Sequence, residues 1–181
     1  MAQVKKLARR PRERIFTIGH STRSAEDFIA LLTDHQVKLL VDVRTVPRSR
    51  HNPQFNRDAL PDTLAAAGIG YLHLGELGGL RKPRKDSRNT GWWNLSFRGY
   101  ADYMETQAFE DGLARLTEEA NSRRLAIMCA EAVPWRCHRS LIADALLARD
   151  LEVFEITGIG RQQPHAMTSF AQVEGVRLSY P

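Results

Sequence analysis

Five short runs of apolar and β-branched residues punctuate the chain: Arg14 to Gly19 (RIFTIG), Lys38 to Val43 (KLLVDV), Gly70 to Leu74 (GYLHL), Arg124 to Cys129 (RLAIMC) and Glu152 to Thr157 (EVFEIT). Each has the length and composition of a buried strand. Between them the apolar positions recur at helical spacing, over Ser24 to Gln36, Asn56 to Ala67, Phe97 to Asn121 and Cys137 to Arg149. Strands alternating with helices imply right-handed crossovers. The pattern predicts an α/β fold: a mainly parallel, doubly wound (Rossmann-like) sheet of about five strands with helices on both faces.

Local signals sharpen the helices. Ser24 stands three residues before Asp27 in a capping-box pattern, and Phe28, Leu31 and Leu32 supply the apolar stripe behind it. Asn56 is the expected cap of the second helix, which Gly68 ends. From Phe97 onward two stripes appear, with Phe97, Tyr100, Ala101 and Met104 in one and Phe109, Leu113 and Leu116 in the other. The change of phase predicts two helices with a break near Thr106.

Two segments lack periodicity. Leu77 to Leu95 (LGGLRKPRKDSRNTGWWNL) is a long basic loop that ends in Trp92 and Trp93. Loops of this length inside a compact domain are usually functional or mobile. Gly158 to Pro181 is weakly patterned, and its VRLSY stretch reads as an edge strand or a segment packed across the domain.

A chain of 181 residues, 43% hydrophobic and 26% charged, is long enough for one compact domain, assigned to residues 15–181. No run approaches the roughly 20 apolar residues that span a bilayer, so the expectation is a protein with no membrane partner and a cytoplasmic location. The two cysteines are expected to be reduced.

The net charge of +5 is unevenly placed. Residues 1 to 14 carry all of it and read as a basic, disordered tail. In the remaining body, Arg44, Arg48, Arg50 and Arg57 have no acid among them, and Arg81, Lys82, Arg84, Lys85 and Arg88 face only Asp86. Sorted charge of this kind points to an anion-binding face more than overall charge does.

In an open parallel sheet, ligands bind beyond the carboxyl ends of the strands. The residues after each predicted strand therefore share one edge: His20, Ser21 and Thr22; Asp42, Arg44, Arg48 and Arg50; His73 and Glu76; then Cys129, Glu131, Arg136, Cys137 and His138. Cys137 sits at a helix start beside Arg136, His138 and Arg139, where the helix dipole and cations favour a thiolate. Cys129, ending an apolar strand, reads as a small hydrophobe. The imidazoles of His20, His73 and His138 and the carboxylate of Glu131 are candidates for proton transfer.

Three sharper motifs do not fit. A cysteine-loop phosphatase or sulfurtransferase places about five residues between its Cys and Arg, whereas Cys129 and Arg136 enclose six with an acid among them. Zinc sites need three or four close ligands, which Cys129, Cys137, His138 and His20 supply only if the fold gathers them; no metal ligand is assigned and no cofactor is indicated. The glycines make no dinucleotide fingerprint. The arginines argue better. Arg44, Arg48, Arg50, Arg136 and Arg139 are suited to fork onto phosphate oxygens, with Ser21, Arg98 and Tyr100 beside them. Arg81, Lys82, Arg84 and Lys85, with Trp92 and Trp93 as stacking platforms, form a candidate nucleic-acid surface.

TIGHST, LVDVRTVPRSR, GIGYLHLGELGGLR, FRGYADYM and MCAEAVPWRCHRSLIADAL, in that order, resemble the bacterial and archaeal family known as domain of unknown function 488. The likeness covers about residues 15 to 157. It implies a single α/β domain used inside the cell and carries no reaction with it. His20, Asp42, Arg44, Arg48, Arg50 and His73 match the family's motif positions in the first half. Arg98, Tyr100, Cys129, Glu131, Cys137, His138 and Arg139 match them in the second.

Mixed acids, imidazoles and a thiol among arginines point to an enzyme acting on a phosphate-bearing ligand, a nucleotide or nucleic acid, with Glu131, Cys137, His20 and His138 as its chemical groups. The alternatives are a non-catalytic nucleic-acid binder and a thiol redox or metal sensor. Oligomeric state is not readable from the chain.

Overall fold

The computed structural model describes residues 14–181. The basic tail expected over residues 1 to 14 therefore lies outside the described residues except for Arg14, whose guanidinium sits 5.0 Å over the Phe154 ring. The five apolar runs form the parallel strands β1 (Ile15–Gly19), β2 (Leu39–Asp42), β3 (Gly70–His73), β4 (Leu125–Cys129) and β5 (Val153–Gly158). A sixth strand, β6 (Arg161–Pro164), adds antiparallel to β5, and the sheet runs β3-β2-β4-β1-β5-β6. Burial on both faces explains why β1, β2 and β4 read as continuous apolar runs.

The crossovers divide between the two faces. Helices α1 (Ala25–Asp34) and α2 (Leu60–Ala66) pack Phe28, Leu32 and Leu64 with Phe16, Ile18 and Met128. Helices α3 (Leu95–Tyr103), α4 (Gln107–Ser122) and α5 (Arg139–Leu147) pack Tyr100, Leu116 and Leu141 with Val41 and Ile127. After β1 the chain crosses to one side of the sheet, and after β4 to the other. Because β1 and β4 are neighbours, their following loops diverge and leave a crevice between them.

Ser24 caps α1 through a hydrogen bond from the Asp27 amide, and Thr106 caps α4 at the predicted break. Asn56 does not cap α2, which begins only at Leu60; its side chain instead accepts from the Ser49 amide and closes the preceding loop. Helix α5 starts at Arg139, so Cys137 lies just outside it in extended conformation after a 3-10 turn, Pro134–Arg136. The C-terminal segment forms a hairpin of β7 (Gln172–Glu174) and β8 (Arg177–Ser179), separate from the main sheet, and plants Leu178 and Tyr180 in the core.

The long basic loop is tethered. The buried Asp102 carboxylate accepts from the Arg84 amide, the Ser87 hydroxyl and the Asn89 side chain. Tyr180 returns across the same loop, its amide donating to Asn89 and its carbonyl accepting from Gly91. No helix among the described residues is long and apolar enough to cross a membrane.

Candidate functional site: a thiol pair at the strand crossover

The crevice between the β1 and β4 loops opens into a cleft of about 590 Å³. Its lining combines Ser21, Thr45, Arg48 and Asn52 with the apolar Val46 and Leu80, and Cys129 and His138 face its interior. This size suits a small-molecule ligand. Ser21 and Leu80 both adopt left-handed backbone, at φ 51° and 60°. Such conformations cost of order 1 kcal/mol or more outside glycine and gather at functional sites. Neither residue type signals this in the sequence.

Cys129 ends the central strand β4, and the following loop returns Cys137 to it. The sulfurs lie 2.8 Å apart, both thiols free. His138 completes the cluster, with Nδ1 3.7 Å from the Cys137 sulfur and Nε2 3.1 Å from the Val43 carbonyl. A carbonyl only accepts, so Nε2 carries the proton and Nδ1 turns its lone pair toward the sulfurs. The ring is wedged against Tyr100, and Gly79 borders Nδ1 so closely that a Cβ there would stand 3.0 Å away. That approach gives a physical reason for Gly79, while a Cβ on Gly78 would stand 2.6 Å from the Thr45 hydroxyl.

The two thiols are driven apart in acidity. Cys129 is held far below the ordinary thiol range, first by the S–H of Cys137, which outweighs its burial, with the Glu131 amide adding to the effect. Cys137 moves upward because Cys129 holds its proton and because it is buried. One proton serves both sulfurs, so the pair titrates as a unit. The thiolate assignment thus passes from Cys137, where helix-start chemistry placed it, to Cys129. Cys137 stands outside α5, and its neighbour Arg139 is committed elsewhere.

Arg139 is fully buried and forms the floor of the loop. Its guanidinium donates to the carbonyls of Glu131 and Ala132 and to Glu155, which also accepts from Thr17. An external anion has no access to it, which corrects its expected role. Gly19 makes the loop's path possible, since a Cβ there would fall 1.9 Å from the Glu131 carbonyl.

A second buried network stands behind the cleft. Asp42 is fully buried and accepts from the Arg44 amide and guanidinium and from the Tyr71 hydroxyl. Arg44 also donates to the Phe55 carbonyl and to His20 Nε2, while His20 Nδ1 bonds the Ser21 carbonyl. Both nitrogens of His20 are therefore occupied, and burial, with Arg44 beside it, depresses its pKa despite the Ser21 bond. His20 is neutral and positions the strand ends; it is corrected from proton carrier to support. Arg44, neutralised by Asp42, borders the cleft as part of a closed ion pair.

The remaining predicted residues divide. Arg48 and Ser21 line the cleft, as does Glu131, which is exposed at its mouth. Arg50 and Arg136 are exposed outside the lining. Tyr100 is buried with its hydroxyl on the Leu77 carbonyl, and Arg98 fastens the carbonyls of Thr90 and Trp92, so both are corrected from ligand contacts to structural groups. His73 likewise bonds the Arg44 carbonyl. In the basic loop, Lys82 and Lys85 are exposed, while Arg81 lies 3.6 Å over the Tyr103 ring and Arg84 pairs with Glu105. Trp92 packs among Phe97, Phe170 and Tyr180, which removes it as a stacking platform; Trp93 is 93% exposed.

Cys129, Cys137 and His138 are also the three described residues whose ligand atoms lie within 4.8 Å of one another. The fold thus gathers three of the four groups considered for zinc, without His20. Two Zn–S bonds of about 2.3 Å in tetrahedral geometry would set the sulfurs about 3.8 Å apart. The observed 2.8 Å is about an ångström tighter than that spacing and lies between it and the roughly 2.05 Å of a sulfur–sulfur bond.

No curated protein and no solved structure matches the chain. The family model described as "Domain of unknown function DUF488" matches residues 24–146, which hold α1 to α4, all but the last residue of α5, strands β2 to β4 and both cysteines. On that match, and with an α/β sheet of the expected kind, the chain belongs to the DUF488 family.

Proposed function

We propose that the protein is a thiol-dependent enzyme in which Cys129 is the nucleophile and the substrate is a small phosphate-bearing molecule held in the cleft. The carrying observation is the Cys129–Cys137 sulfur contact at the base of an open cleft, with His138 oriented on it by the Val43 carbonyl. A nucleophile, an imidazole within reach and a third group that fixes the imidazole form the arrangement that activates cysteine. The thiolate attacks the electrophilic atom of the ligand, the bond to sulfur forming as the bond to the leaving group breaks and the departing group taking a proton from solvent. Water then attacks the adduct, and the thiolate leaves as the second product is released with loss of a proton. Glu131, exposed in the cleft lining, is placed to accept a proton from the water that attacks the adduct. Phosphate is favoured as the recognition element because Arg48 lines the cleft from a stretch, residues 43 to 57, that holds no acid, while Ser21, Thr45 and Asn52 add neutral polar groups.

The test measures alkylation of reduced protein by iodoacetamide between pH 5 and 9, with and without inorganic phosphate and adenosine monophosphate. Cys129 is expected to react rapidly at pH 5, to be protected by at least one of the two anions, and to lose that protection in Arg48→Ala. A panel of phosphate-bearing electrophiles followed by phosphorus NMR then identifies turnover, which Cys129→Ser abolishes. A Cys129 that reacts only above pH 8, like an ordinary thiol, would overturn the reading.

A further inference from the structure

On the function proposed above Cys137 takes no part in the attack on substrate, yet its sulfur touches the reactive one. The two thiols differ in access. Cys129 lines the cleft and is 8% exposed, whereas Cys137 is 3% exposed, lies behind it and does not contribute to the lining. A reagent entering the cleft meets Cys129 first. Closing a covalent bond between the sulfurs requires shortening their separation from 2.8 Å to about 2.05 Å, a fraction of an ångström on each side. The two anchors are unequal: Cys129 belongs to the central strand, hydrogen-bonded between β1 and β2, while Cys137 sits on extended backbone between a 3-10 turn and α5. The second is the side that yields.

We propose that Cys137 is a resolving thiol, which captures oxidised Cys129 as an intramolecular disulfide and so converts the nucleophile into a reversible, inactive form. The inference rests on the preceding reading of Cys129 as a thiolate that meets reagents in the cleft. The oxidant is a hydroperoxide. The Cys129 sulfur attacks its terminal oxygen, the S–O bond forms as O–O breaks, and the departing alkoxide takes a proton from solvent to leave as the alcohol. Cys137 then surrenders its proton, with His138 as the nearest acceptor, and attacks the sulfenic sulfur. The S–S bond forms, S–O breaks, and the hydroxyl leaves with that proton as water. In sum one thiolate, one thiol, one hydroperoxide and one proton give a disulfide, an alcohol and water. A small dithiol returns both cysteines by two exchange steps and is itself oxidised to its disulfide.

The arrangement has a protective consequence. A sulfenic acid without a partner is oxidised further and irreversibly, whereas a thiol in contact diverts it into a bond that reductants reopen.

The test is intact-mass spectrometry of the reduced full-length protein titrated with hydrogen peroxide, followed by peptide mapping. Wild type is expected to lose two hydrogens, to show a Cys129–Cys137 link without added oxygen, and to recover fully in dithiothreitol. Cys137→Ser is expected to retain the single-oxygen form, trapped by dimedone, and then to gain further oxygens. In Cys129→Ser, oxidation of Cys137 should slow by at least about tenfold, as expected of a buried, protonated thiol. Wild type that gains oxygens as fast as Cys137→Ser, that links between molecules, that shows no change, or that retains a zinc ion on the two sulfurs overturns the proposal. Iodoacetamide labelling of the reduced protein separates the outcomes: a reactive Cys129 with no disulfide removes this inference alone, and an unreactive Cys129 removes the functional reading as well.

Discussion

Arg139 Nη2 lies 3.0 Å from the Glu155 carboxylate, with the two side chains 0% and 12% exposed, and the same guanidinium carries the carbonyls of the thiol loop. The ion pair therefore joins helix α5 to strand β5 and holds the path of residues 130 to 136 at once. Removing one member of a buried pair is costly because the other charge stays behind without a partner.

Arg139→Met is accordingly expected to cost about 3 to 5 kcal/mol of stability. Urea unfolding followed by circular dichroism measures it as a lower midpoint at unchanged slope. The double variant Arg139→Met/Glu155→Leu should recover part of the loss, since it removes the stranded charge but not the need of the two loop carbonyls for donors. A double variant no better than the single one would show that the carbonyls, and not the charge pair, dominate.

His20 gives the stability a pH dependence of definite sign. Burial holds its folded-state pKa below the ordinary histidine value of about 6.5, so below that pH the unfolded chain binds a proton that the native one resists. The native state keeps its full margin above pH 6.5 and loses it as the pH falls toward the depressed folded value, by up to about 1.4 kcal/mol per pH unit. Unfolding free energies at half-unit intervals from pH 7.5 to 5 should show this slope in wild type and a flatter one in His20→Gln. Parallel profiles for the two proteins would contradict the assignment.

Asp102 is the buried anchor of the basic loop. Asp102 accepts three hydrogen bonds from residues 84 to 89, and these outweigh its burial and hold its pKa below the ordinary range. Asp102→Ala should free the loop, seen as trypsin cleavage after Lys85 or Arg88 at least about tenfold faster than in wild type, because local opening then costs far less than global unfolding. Equal cleavage rates would mean that Tyr180 and the Asn89 side chain suffice to hold it.

The parallel core was legible because its central strands β1, β2 and β4 are buried on both faces and its helices keep their apolar periodicity. The Phe97 and Phe109 stripes even located the break that Thr106 caps. The edge strand β6 was not, since RQQP is polar and exposed on most of its length and carries no apolar signal. Of the site, the shared strand edge was readable, and it brought His20, Arg44, Glu131, Cys129 and His138 around one cleft. What the side chains do there was not, because it depends on partners far away in sequence. Arg139 looks like a free cation until Glu155 is placed beside it, and Trp92 looks like an exposed platform until Phe170 and Tyr180 close over it. Cys129 looks like core packing until the loop returns Cys137 to its sulfur.

Because one sulfur belongs to the central strand and the other stands at the threshold of α5, their separation registers how that helix is seated on the sheet. A displacement of α5 by even the width of a bond would pull the proton donor from the thiolate and dull it. Reagent reactivity at Cys129 is thus a gauge of a helix position well inside the molecule, readable by simple chemistry without any label.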